Sequence, residues 1–97
     1  MHERFLKRFR EKIRAHAYVM TVHAEEEMNE DDFTIHDVER GILTGRILER
    51  QKDSTSDESK YRIRGKTIAG DPIEILAKLG PTGKLVIITV YAPQGMR

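Results

Sequence analysis

The sequence predicts an α+β domain in which two or three N-terminal helices pack on one face of a three- to four-stranded antiparallel sheet. Two observations predict it. Apolar residues recur at helical spacing as far as residue 45, and at every second position from residue 46. Helices that precede a run of hairpin-connected strands bury their apolar stripes against one side of that sheet. Ninety-seven residues leave room for one domain, 1–97, made of a basic amphipathic helix (1–16), a helical part (17–45) and an antiparallel meander (46–92).

Phe5, Leu6, Phe9 and Ile13 give the first helix its apolar stripe, with bases between them. Tyr18-Val19-Met20-Thr21 is a short apolar stretch that fits an edge strand. Thr21 is placed to cap a helix near residues 22–30, and Thr34, with Asp37 three residues on, to cap the next. Ile35, Val38, Ile42 and Leu43 are the buried stripe of that helix, and Gly45 its C′ glycine. Arg46–Gln51 is the first strand of the meander, followed by a polar loop over 52–59. Lys60–Ile68 alternates. Ala69-Gly70-Asp71-Pro72 makes a turn to Ile73–Leu79, and Pro81-Thr82-Gly83 a turn to the β-branched strand Leu85–Tyr91.

Composition narrows the chemistry. With no cysteine, disulfides, thiolate catalysis and cysteine metal sites are excluded together. No apolar run reaches the roughly 18–20 residues that span a bilayer. No signal-peptide core is present either, so a cytoplasmic location and no membrane partner are expected. His23 with Glu26 and Glu27, and His36 with Glu39, share helix faces. So common a spacing does not make a metal site, and no metal or other cofactor is expected.

The net charge of +1 conceals a strong segregation. Residues 1–16 carry Arg4, Lys7, Arg8, Arg10, Lys12 and Arg14 against Glu3 and Glu11. Residues 25–32 carry six acids and no base. Such asymmetry points to a polyanion or an oppositely charged protein as partner.

Strand parity locates the candidate site. Lys60, Arg62, Arg64 and Lys66 share one side of their strand, and Tyr61, Ile63, Gly65 and Thr67 the other. Four unpaired charges do not face an apolar core, so the bases mark an open face. Ile73, Ile75, Ala77 and Leu79 then point inward, and Glu74, Leu76 and Lys78 outward. On the last strand Val86, Ile88 and Val90 are assigned to the core, and Ile87, Thr89 and Tyr91 to the open face. Arg46 and Arg50 share parity and extend it. Cations in this array suit a phosphodiester, with Arg46, Lys60, Arg64, Lys66, Lys78 and Thr89 holding RNA. Arg62 holds the reacting phosphate, Arg50 stabilises developing charge, and Tyr91 or His23 moves protons. The alternative is a non-enzymatic module, a homodimer or regulatory partner whose sheet binds protein or nucleic acid without chemistry, favoured by outward Leu76 and Ile87 as an apolar interface patch.

The ordered set Tyr18-Val19-Met20-Thr21-Val22-His23-Ala24, Glu27-Met28, Thr34-Ile35, Asp37-Val38-Glu39, Ile42, Thr44-Gly45, Glu49-Arg50, Lys60-Tyr61, Gly65, Gly70 and Leu85 through Tyr91 spans about three quarters of the chain. It resembles the small bacterial family catalogued as domain of unknown function 4258, which is distantly similar to ribonuclease toxins of the RelE and BrnT type. The resemblance implies a RelE-like fold, metal-independent RNA cleavage at the open face and a cognate antitoxin protein as partner. His23, Arg50, Arg62, Thr89 and Tyr91 are the positions it singles out. The basic first helix falls outside it.

Overall fold

The computed structural model describes residues 2–52 and 58–93. It contains α1 (Glu3–Arg14), β1 (Tyr18–Met20), α2 (Val22–Glu30), α3 (Ile35–Thr44), β2 (Arg46–Lys52), β3 (Ser59–Lys66), β4 (Pro72–Leu79) and β5 (Leu85–Tyr91). The fold is α+β, with three helices and a five-stranded sheet in the order β1-β5-β4-β3-β2. The sheet is mixed, because β1 joins β5 in parallel and adds a strand to the expected meander. Residues 53–57 of the expected polar loop lie outside the described residues. Among the described residues no helix is long and apolar enough to cross a membrane.

Local chemistry explains the helix starts. Thr21 Oγ1 accepts the Ala24 N–H at 3.0 Å. Thr34 and Asp37 form a reciprocal capping box. Gly45 ends α3 in extended rather than left-handed backbone, with φ −89° and ψ −176°, so it is not a left-handed C′ cap. Its lack of a side chain matters for another reason: a Cβ there would lie 2.5 Å from the Gly41 carbonyl oxygen. Gly65 on β3 is tighter still, since a Cβ would come within 1.9 Å of that same oxygen.

The core lies between the sheet and α1 and α3. Phe9 and Ile13 meet Tyr61, Ile63, Ile75, Ala77 and Leu85, while Val38 and Ile42 complete it from α3. Arg10 turns inward from α1 and donates to the carbonyls of Ile42 at 3.3 Å and Gly45 at 2.7 Å, closing the end of α3.

The acidic helix α2 runs along the β5 edge beyond β1. Thr21 Oγ1 donates to the Ile88 carbonyl at 2.9 Å. Glu27 accepts the Val90 N–H at 3.2 Å, and Asp31 the Ala92 N–H at 3.3 Å. Part of the acidic run therefore finishes a strand edge that would otherwise be unpaired.

Two bulges correct the parity reading. On β5, Ile87 pairs with Ala77 and Thr89 with Leu76, so Ile88 is an extra residue. Leu85 and Ile87 are fully buried, whereas Val86 and Ile88 are half-exposed and outside the core. The assignment of Val86 and Ile88 inward and Ile87 outward is thus reversed, while that of Thr89, Val90 and Tyr91 stands. On β2, Ile47 pairs with Ile63 and Glu49 with Arg62, leaving Leu48 extra. Arg46, opposite Arg64, stays on the open face. Arg50, opposite Tyr61, is turned to the helix side.

Candidate functional site

The open face is organised around a carboxylate. Glu74 stands opposite Arg64 on β3 and Tyr91 on β5, and is only 2% exposed although it points away from the core. Its neighbours on the sheet bury it. Arg62 Nη1 donates to Oε1 at 3.0 Å and the Tyr91 hydroxyl to the same oxygen at 2.7 Å. Arg64 donates to Oε2 through Nε at 2.7 Å and also through Nη2. Arg62 Nε reaches Glu49 at 3.1 Å, and Lys78 pairs with Glu58.

This geometry fixes protonation. Burial pushes the Glu74 carboxyl upward, but the bonds from Tyr91, Arg64 and Arg62 outweigh it and hold it below the ordinary carboxylate range. Burial, then the bond to Glu74, pushes the Tyr91 phenol upward, so it is protonated at neutral pH and serves as a donor. The bond to Glu74, then that to Glu49, raises the Arg62 guanidinium. The result is two cations and a phenolic hydroxyl fixed on one buried carboxylate. Guanidinium N–H groups not used in these bonds are left for an anion.

Most of the expected residues share this face. Arg62, Arg64 and Tyr91 touch one carboxylate. Lys60 and Lys66 lie in the row of Arg62 and Arg64. Arg46 flanks Arg64, and Thr89 sits opposite Leu76. Arg50 does not join them: it faces a shallow cleft with Phe5 and Tyr61 on the helix side and donates to Ser59 Oγ at 3.0 Å. His23 stands at the sheet edge on α2, its Nε2 3.2 Å from Glu27. Half-exposed Leu76, Val86 and Ile88, with exposed Val19, add an apolar strip toward β1.

Sequence reasoning gave Glu74 no role. The signal was one acid placed outward opposite a row of bases. A second cluster also went unassigned. Tyr18 donates to Glu39 at 2.6 Å, and the Nδ1 atoms of His16 and His36 lie 3.6 and 3.5 Å from the two carboxylate oxygens. Burial, then Glu39, pushes the Tyr18 phenol up to about 12. This contact ties β1 to α3 on the helix side.

A family model described as a domain of unknown function (DUF4258) matches residues 20–92. The chain belongs to this family. No curated protein and no solved structure matches it. The DUF4258 stretch runs from the last residue of β1 past the end of β5, and so contains the whole Glu74 network. Helix α1 lies outside it.

Proposed function

We propose that this DUF4258 protein is a toxin-type, metal-independent ribonuclease related to RelE and BrnT, acting on RNA laid across the open sheet face and held inactive by an antitoxin protein. The observation that carries this reading is the pair of guanidiniums and the phenol anchored on buried Glu74. In the proposed step the substrate 2′-oxygen attacks the adjacent phosphorus, the P–O5′ bond breaks and a 2′,3′-cyclic phosphate forms. Arg62 and Arg64 stabilise charge on the non-bridging oxygens. Tyr91 gives its proton to the leaving 5′-oxygen, and His23 at the edge takes the 2′-hydroxyl proton. Arg46, Lys60, Lys66, Lys78 and Thr89 hold flanking nucleotides. Arg50, on the other side of the sheet, has no part in this chemistry.

The test is cleavage of messenger RNA, alone and in a translating extract, by wild-type, Arg62→Ala and Tyr91→Phe proteins. Wild-type cleavage falling at least ~100-fold in both variants supports the reading, the size expected when a positioned acid or charge stabiliser is lost. No cleavage by any of the three overturns it. The apolar strip favours a second reading, a non-enzymatic homodimer whose contact is Leu76 with Val86 and Ile88. Ile87 is in the core and takes no part. Sedimentation of Leu76→Lys against wild type decides this, because such a dimer dissociates when the charge is introduced.

A further inference from the structure

We propose that the outer face of α1 is a separate docking surface for the phosphate backbone of a nucleic acid. Three observations carry it. First, Arg4, Lys7, Arg8 and Arg14 are all exposed. Arg4 and Arg14 are ten residues apart on one helix, a span of about 15 Å at 1.5 Å per residue. Second, none of the four makes an ion pair or hydrogen bond among the described residues. Arg62, Arg64 and Lys78 on the sheet are all held by carboxylates. Glu11 interrupts the stripe without pairing to it. Third, the apolar side of α1 is already used: Leu6 is 9% exposed, Phe9 0% and Ile13 2%.

The third observation selects the occupant. A helix that binds a lipid surface sinks its apolar face among the acyl chains, with bases serving only as an aid. The apolar face of α1 is committed to its own core, so nothing remains to insert. A linear row of free cations on a rigid helix matches instead a linear row of phosphates, whose binding is driven by release of condensed counterions and needs no apolar contact. A shallow cleft of about 400 Å³ flanks the stripe, lined by Glu3, Leu6, Lys7, Arg10 and Arg14, so one acid stands among its bases. The surface lies on the helix side of the sheet and requires no cleavage chemistry. It goes beyond the ribonuclease reading and does not rest on it.

The experiment uses the full chain and a single-stranded DNA oligonucleotide, which lacks the 2′-hydroxyl that cleavage requires. Affinity is measured as a function of salt for wild type, for Arg4→Gln/Lys7→Gln/Arg8→Gln, and for Lys84→Gln, an exposed base between β4 and β5 that belongs to neither surface, as a control. The expected result is a triple variant bound at least ~10-fold more weakly near 100 mM salt. Its slope of log affinity against log salt is shallower by about 2, as loss of three single-strand phosphate contacts requires. Lys84→Gln leaves affinity and slope nearly unchanged. Equal affinity and slope in wild type and triple variant overturn the inference. So does wild-type protein that ignores the oligonucleotide but binds phosphatidylserine vesicles or polyglutamate. Oligonucleotide binding through α1 with no RNA cleavage removes the ribonuclease reading alone.

Discussion

Two basic surfaces lie on opposite sides of this molecule, and they differ in how their charge is held. On the sheet, Arg62 and Arg64 share one buried carboxylate and Lys78 is paired with Glu58. On α1, Arg4, Lys7, Arg8 and Arg14 stand in solvent without a counter-ion among the described residues. Counting bases makes the surfaces equivalent. Geometry makes the first a fixed arrangement of donors on one carboxylate, flanked by Arg46, Lys60 and Lys66, and the second a pool of free charge with little fixed geometry. The first suits discrimination and chemistry at one phosphate; the second suits non-specific capture.

The contrast breaks most sharply at Glu74. In Glu74→Gln, two guanidiniums lose a buried charged acceptor, and stability falls by about 3–5 kcal/mol. At about 4 °C or more per kcal/mol for a chain of this size, the melting midpoint drops by about 12 °C or more. A change below about 1 kcal/mol in a denaturant titration would mean that the network does not hold the face together. Tyr91→Phe removes one hydrogen bond to the same carboxylate and costs about 1.5–3 kcal/mol by the same measurement.

The pH dependence sharpens the contrast further. The folded Glu74 carboxyl lies below its unfolded range, so its contribution is fully present above about pH 4.3 and is lost as pH falls through the lower folded value. Glu74→Gln flattens that acid limb. Tyr18 and Tyr91 are shifted the other way, so their contribution is present below about pH 10. For Tyr18 it is lost as pH rises from there to about 12. Tyr18→Phe removes part of this alkaline loss in urea titrations at pH 9 and pH 11. The smallest effect belongs to α1: Arg4→Gln/Lys7→Gln/Arg8→Gln changes stability by about 0.5 kcal/mol or less per substitution, because those exposed side chains make no ion pair or hydrogen bond among the described residues.

What could be read from the sequence was local. The capping box at Thr34 and Asp37, the cap at Thr21, the bounds of β5 and the alternating bases of β3 depend on residues within a few positions of one another. What escaped depends on a distant partner strand. The phase of β5 slips at Ile88 and that of β2 at Leu48, because pairing with β4 and β3 leaves one residue over. No periodicity within either strand shows this, so Ile87 and Arg50 were assigned to the wrong side. The parallel pairing of Tyr18–Met20 with Leu85–Ile87 joins residues far apart in the chain. Glu74 was placed on the correct face. Its burial escaped because it depends on Arg62, Arg64 and Tyr91 folding over it.

The missing side chain at Gly65 puts the main chain of β3 in direct contact with α3, directly beneath Arg64 and Lys66. A strand seated that closely on a helix has no slack along its axis. Any ligand taken up above it must be met by torsional swings of the arginine stems over a stationary floor. Occupied and vacant forms would then differ in rotamers alone, with an almost identical backbone trace.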